Sequence, residues 1–199
     1  GTSHELAADY TWEASSVIPV VLNSSSLTVS STGATASGST LTITKAGTYS
    51  LSGSLTDGQV IVNTEDQETV RLILNNVDIR CSNSAPVYIK KANKVVGVLA
   101  DNSTNKITDG TTYTYDVVAD EEPNAAIFSK SSLSFYGNGK LTVSSNFNDG
   151  ISTKDGLIIK SGTISVTAAD DGIRGKNYLI IRDGNITVNS KGDGLSSDN

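Results

Sequence analysis

The stretch NDGISTKDGLIIKSGTISVTAADDGIRGKNYLIIRDGNITVNSKGDGLSSD, residues 148–198, decides the fold, because its opening peptide returns as DDGIRGK from Asp170 and as GDGLSSD from Gly192. The interval is 22 residues both times. Asp149, Asp171 and Asp193 share one column, followed by Gly150, Gly172 and Gly194, then by Ile151, Ile173 and Leu195. A fixed period of this length marks a repeat architecture whose units bury their apolar faces against one another.

Each period holds three short apolar pulses. In the first they are Ile151, then Leu157 and Ile159, then Ile164 and Val166; in the next they are Ile173, then Leu179 and Ile181, then Ile186 and Val188. Residues two apart on a strand share a face, so each pulse predicts a short strand with an inward apolar side. The glycines of KDG (154–156), KSG (160–162) and RDG (182–184) fall where the chain must turn. Helical periodicity is absent. The pattern predicts an all-β solenoid, a parallel β-helix with three-stranded coils of 22 residues.

Matching first pulses along the chain gives Val60, Val87, Ile127, Ile151, Ile173 and Leu195, with spacings of 27, 40, 24, 22 and 22. The long step requires an insertion, supplied by TDGTTYTYDVVADEEPN at 108–124, with Tyr113, Tyr115 and five acidic side chains. Long loops that leave a rigid scaffold collect binding residues. Residues 26–56 alternate as strands, with Leu27 and Val29, Leu41 and Ile43, Tyr49 and Leu51. Residues 1–25, with the single Trp12 and the run VIPVVL at 17–22, are expected to form an N-terminal cap over the first exposed edge, leaving 26–199 as the β-helix. The last coil starts at Leu195 and stops at Asn199, so missing residues or another molecule are expected to cover that end.

Net charge is −6 and the isoelectric point about 4.7, which argues against nucleic acid or an anionic membrane surface and leaves room for a multivalent cation. No apolar run approaches the roughly 18 residues that span a bilayer. The start, GTSHELAADY, has no signal-peptide pattern, so any such segment is expected to have been removed or to lie outside this sequence. The lone Cys81 cannot form an intrachain disulfide and is expected to be a small buried or turn residue. The lone His4 is expected to belong to a terminal tag or scar.

In stacked parallel strands, equivalent residues lie about 4.8 Å apart. Two carboxylates at that distance repel by about 0.9 kcal/mol in water and roughly 3.5 kcal/mol at an effective dielectric of 20. Two arrangements relieve the aspartate column. Ca²⁺ can gather carboxylates from successive coils, or the side chains can accept backbone N–H bonds in a turn ladder. The position before the aspartate reads Asn124, Asn148, Asp170, Gly192, so charge accumulates where asparagine would serve a ladder. The candidate metal ligands are Asn148, Asp149, Asp170, Asp171 and Asp193. A second column, Lys130, Lys154, Lys176 and Asp198, together with Arg174, either holds an acidic sugar or forms solvated turn charges. Tyr113, Tyr115, Phe147, Tyr178 and Trp12 lie outside the inward pulses and could stack on sugar rings.

The segments AGTYSLSGSLTDGQVIV (46–62), EPNAAIFSKSSLSFYGNGKLTV (122–143) and ADDGIRGK (169–176) resemble a family of secreted bacterial carbohydrate-binding right-handed β-helix proteins. The resemblance implies a calcium-bearing, extracellular protein related in shape to pectate lyases. It implies binding of cellulose or polygalacturonate-type acidic sugars without catalysis, and it supports Asp149, Asp170, Asp171 and Asp193 as ligands. On this reading Lys154, Arg174, Lys176, Tyr113, Tyr115 and Tyr178 line the carbohydrate surface. The competing reading is a calcium-dependent polysaccharide lyase with a Lys or Arg base. A structural or adhesion role predicts neither sugar retention nor turnover.

Overall fold

Val60, Val87, Ile127, Ile151, Ile173 and Leu195 stand side by side in one parallel ladder, each paired in register with the next. The computed structural model describes residues 2–198; Gly1 of the expected cap and Asn199, where the last coil was expected to stop, lie outside the described residues. Among the described residues the chain is all-β apart from three single-turn 3₁₀ segments, and no helix there is long and apolar enough to cross a membrane.

From residue 125 onward three successive repeats each contribute one strand to each of three parallel ladders, and a fourth adds a strand to the first ladder alone. The first ladder takes Ala125–Ser129, Asp149–Thr153, Ile173–Gly175 and Leu195–Ser196. The second takes Ser132–Gly137, Gly156–Ile159 and Tyr178–Ile181, and the third Lys140–Ser145, Thr163–Ala168 and Asn185–Ser190. The second and third ladders meet at one long strand, Val70–Cys81, whose two halves pair with Lys94–Leu99 and Thr104–Asp109. Between those halves Asn76 adopts φ 63°, a left-handed conformation that asparagine tolerates, and the strand turns a corner there. The result is a large parallel sheet curled as a half-barrel, which shares one apolar core with the first ladder.

The inward pulses up to Ile173 fill the interior, whereas those that follow it do not. Leu179, Ile186 and Val188 are half-buried, and Ile181 and Leu195 are exposed because no further repeat covers them among the described residues. Leu157, Ile159, Ile164 and Ile173 are fully buried in one continuous core that runs from Val20 to Val166 and beyond. The glycine column has a steric cause. A Cβ on Gly150 would overlap Val166 Cγ1, and one on Gly172 would overlap Val188 Cγ1, because the third strand of each repeat crosses close under the first. Gly172→Ala is therefore expected to cost about 1–3 kcal/mol through overpacking, read as a lower urea midpoint at unchanged slope.

Residues 3–12 lie across the outside of the second ladder. Lys94 and Asp9 form an ion pair of 2.9 Å with side chains 9% and 2% exposed, and Lys94 Nζ also donates to the carbonyl of His4. Arg71 Nε and Nη2 donate to the carbonyls of Asp9 and Ala8. The expectation for His4 is corrected. Its ring nitrogens contact Tyr178 Oη at 2.6 Å and Ser134 Oγ at 2.7 Å, and burial pushes its pKa down. His4 is a tie between strands of the second ladder, and its partial burial comes from that packing. Cys81 is a buried free thiol, as expected, and burial pushes its pKa up.

Candidate functional site

Asp149, Asp170 and Asp171 converge at the leading edge of the first ladder, each offering a carboxylate oxygen within 4.8 Å of the others. Asp149 opens the strand Asp149–Thr153 and is 4% exposed; Asp171 ends the turn before Ile173–Gly175, and Asp170 reaches in from solvent. The turn ladder is also present. Asp149 Oδ1 accepts the N–H of Asp171 at 3.0 Å, and Asp171 Oδ1 accepts the N–H of Asp193 at 2.9 Å. Each aspartate thus holds the next repeat in register while its second oxygen remains available.

A ladder accounts for Asp149 and Asp171 but not for Asp170, whose carboxylate adds charge beside both. Burial, with Asp171 and Asp170 close by, pushes the Asp149 pKa up from 3.8 to about 6, against the opposing backbone hydrogen bond and the nearby Arg174. Gly192 completes the arrangement. It occupies the position held by Asn124, Asn148 and Asp170 in earlier repeats, and a Cβ there would overlap the Oδ1 atoms of both Asp170 and Asp171. The missing side chain keeps the space beside these oxygens clear. A hard divalent cation fits this donor set, since it takes carboxylate oxygens with carbonyls and water completing the shell.

Two expected ligands are differently engaged. The Asn148 amide donates to the carbonyl of Asn124 at 2.9 Å, and the Asp193 carboxylate stands outside the converging trio. Asp193 contributes its backbone N–H to the ladder.

The basic residues follow the same face. Arg174 pairs in register with Ser152 and forks both Nη2 contacts onto Asp198, at 2.6 and 2.7 Å. These bonds push its guanidinium pKa up. Lys154 Nζ is 2.6 Å from Glu122, and Lys130 reaches the same carboxylate at 3.7 Å. Lys176 is exposed one repeat further on. The insertion therefore folds back and sets an acid among the lysines, a contact between residues 122 and 154 that no local pattern signals.

The tyrosines do not form one platform. Tyr113 stacks on Phe147 with ring centroids 4.1 Å apart and donates its hydroxyl to the buried Asp109 at 2.5 Å, which makes it a strut of the insertion. Tyr178 lies on the second ladder, tied to His4 and away from the aspartates. Tyr115 alone of the three opens to a cleft, a space of about 440 Å³ under the insertion that it shares with Tyr88, Lys90, Lys130 and Glu122. Tyr88 was not singled out from sequence. It points outward in the column Ile61, Tyr88, Phe128, Ser152, Arg174, and its place opposite the inward Val87 was the signal available.

The family profile described as "carbohydrate-binding domain-containing protein" matches residues 37–199. A protein of Acetivibrio thermocellus with the same description is 44% identical over 126 residues, which is 63% of this chain and 44% of that protein. This chain thus spans less than half the length of that curated relative. Among solved structures, a polysaccharide lyase-like protein from C. thermocellum, determined as a gadolinium derivative, superposes with a TM-score of 0.88 at 37% identity, covering 92% of this chain and 74% of the other.

Proposed function

The chain belongs to the family of carbohydrate-binding domain-containing proteins, and from that membership we propose a non-catalytic module that holds plant cell-wall polysaccharide, cellulose or a polygalacturonate-type chain, in a calcium-dependent way. The architecture is read as a right-handed parallel β-helix of three-stranded coils, the hand that parallel crossover connections almost always take, with residues 1–25 as its cap. Export to the cell exterior, where such polysaccharides lie, belongs to the same reading.

The observation that carries the calcium part is the trio Asp149, Asp170 and Asp171 with the cleared space at Gly192. These three side chains would hold the ion. Calcium held there would neutralise the cluster and offer coordination positions to sugar oxygens. Arg174 is the cation that acts on the cluster. Lys154 and Lys176 follow the far ends of the strands that the aspartates lead into, and the separate cleft of Tyr88 and Tyr115 adds ring faces, a set suited to an extended uronate chain.

A lyase would need a basic side chain with a free lone pair beside the ion. Lys154 is engaged by Glu122 and Arg174 by Asp198, which favours binding over proton abstraction. The test is retention on insoluble cellulose and on polygalacturonate, with calcium and with chelator, alongside ultraviolet absorbance of unsaturated uronates. Retention without absorbance is expected; loss of retention on both matrices overturns the proposal, and steady absorbance replaces it with the lyase.

Calcium affinity is also expected to depend on pH. The Asp149 pKa is raised in the folded protein to about 6 from 3.8, so this group favours the metal-free fold fully below pH ~4, a contribution lost as pH rises through ~6. Calcium needs the ionised carboxylate. Its affinity should therefore be about tenfold weaker at pH 5 than at pH 7 and level off above that. Calcium titrations at both values check the sign; equal affinities would remove Asp149 from the site.

A further inference from the structure

We propose that the outer groove beside Trp12 is a second carbohydrate site, on the opposite flank from the aspartates, and that it takes uncharged polysaccharide whose sugar rings present flat C–H faces. It rests on the carbohydrate-binding reading and assigns part of that activity to a different surface.

Trp12, the only tryptophan, is half-buried on the outer cluster of Ile73, Val96 and Val98, on which Tyr136 also packs. It stands between two open depressions. One, of about 770 Å³, runs past Tyr136 along the turns that lead from the second ladder to the third; the other, of about 550 Å³, lies toward Gly47 and Thr69. In the larger depression Gly162 and Gly184 carry no side chain to rise from the turns, while Asp101, Asn138, Asp183 and Asn185 supply polar groups. Aromatic rings with carboxylates and amides close by match a sugar ring, whose C–H face stacks while its rim hydroxyls donate and accept.

Charge selects the ligand. The larger depression has two carboxylates and no Lys, Arg or His among its lining residues. The smaller is rimmed by Glu13, Asp66 and Glu68, and its one cation, Arg71, is turned onto the carbonyls of Ala8 and Asp9. Lys160 and Arg182, which directly follow strands of this ladder, face Tyr10 and Glu5. A uronate would meet like charge with no counter-ion, whereas a neutral glucan would not. The calcium-bearing face would suit the acidic polymer.

The single tryptophan permits a test on the unaltered protein. Cellohexaose should produce a saturable shift of the intrinsic emission that chelator leaves unchanged, and oligogalacturonate should produce none. In parallel, Trp12→Ala, with a melting curve matching the parent, should lose at least tenfold in retention on insoluble cellulose and keep its calcium-dependent retention on polygalacturonate. Absence of the emission change, or cellulose retention untouched in Trp12→Ala, overturns the groove. Equal loss on both matrices in that variant overturns the division between two faces. If the parent is retained on neither matrix, the carbohydrate-binding proposal falls with it; if it is retained on cellulose with a silent Trp12, only the groove falls.

Discussion

Replacing Asp149 by Asn is expected to abolish the calcium-dependent rise in melting temperature while leaving the metal-free protein at least as stable as the parent. Asparagine keeps a side-chain oxygen for the N–H of Asp171, so the turn ladder survives, but it removes the buried charge that adjoins Asp170 and Asp171. At a calcium concentration about a hundredfold above Kd, a site that binds only the folded chain adds about 2.7 kcal/mol. For a domain of this size that corresponds to a shift of about 5–10 °C. Thermal scans at pH 7, with calcium and with chelator, should show the shift in the parent and none in the variant. The same shift in both proteins would reduce Asp149 to a ladder residue. A large loss in the metal-free variant would mean that the charge itself holds the turn.

Lys94→Met is expected to destabilise the protein by about 3–5 kcal/mol, because it leaves the Asp9 carboxylate buried without its partner. The pair is nearly sealed from solvent, at 9% and 2% side-chain exposure, and the ammonium also satisfies the His4 carbonyl. Asp9 holds the N–H of Leu6 through Oδ2, so the segment from His4 to Tyr10 loses its anchor when the lysine goes. Adding Asp9→Asn keeps that acceptor and removes the stranded charge, and the double variant should regain more than half of the loss. Urea unfolding of the two variants measures this. A cost below about 1 kcal/mol for Lys94→Met would show that the segment is held by Arg71 and the aromatic contacts instead.

The repeat was legible because inward apolar residues are local and periodic. Val60 to Leu195 could be aligned by pulse alone, and the ladder pairs them in that register. The same holds for the acidic trio, whose members sit in adjacent turns. What could not be read depends on contacts that cross the chain. Tyr178 and Tyr113 look alike in sequence, yet one meets His4 across 174 residues and the other is clamped by Asp109 and Phe147. Asp9 and Lys94 are 85 residues apart, and neither carries a local mark of burial. Asp193 shares its column with Asp149 and Asp171, but its turn is the last in the ladder and stays exposed, so column identity overstated its part in the trio.

The most direct measurement is a crystal structure of the protein grown with calcium, with data collected to give anomalous signal. The account predicts a peak bounded by oxygens of Asp149, Asp170 and Asp171 at about 2.3–2.6 Å, the range of calcium–oxygen bonds. Water at hydrogen-bond distance in that position, with any calcium bound elsewhere, would contradict it.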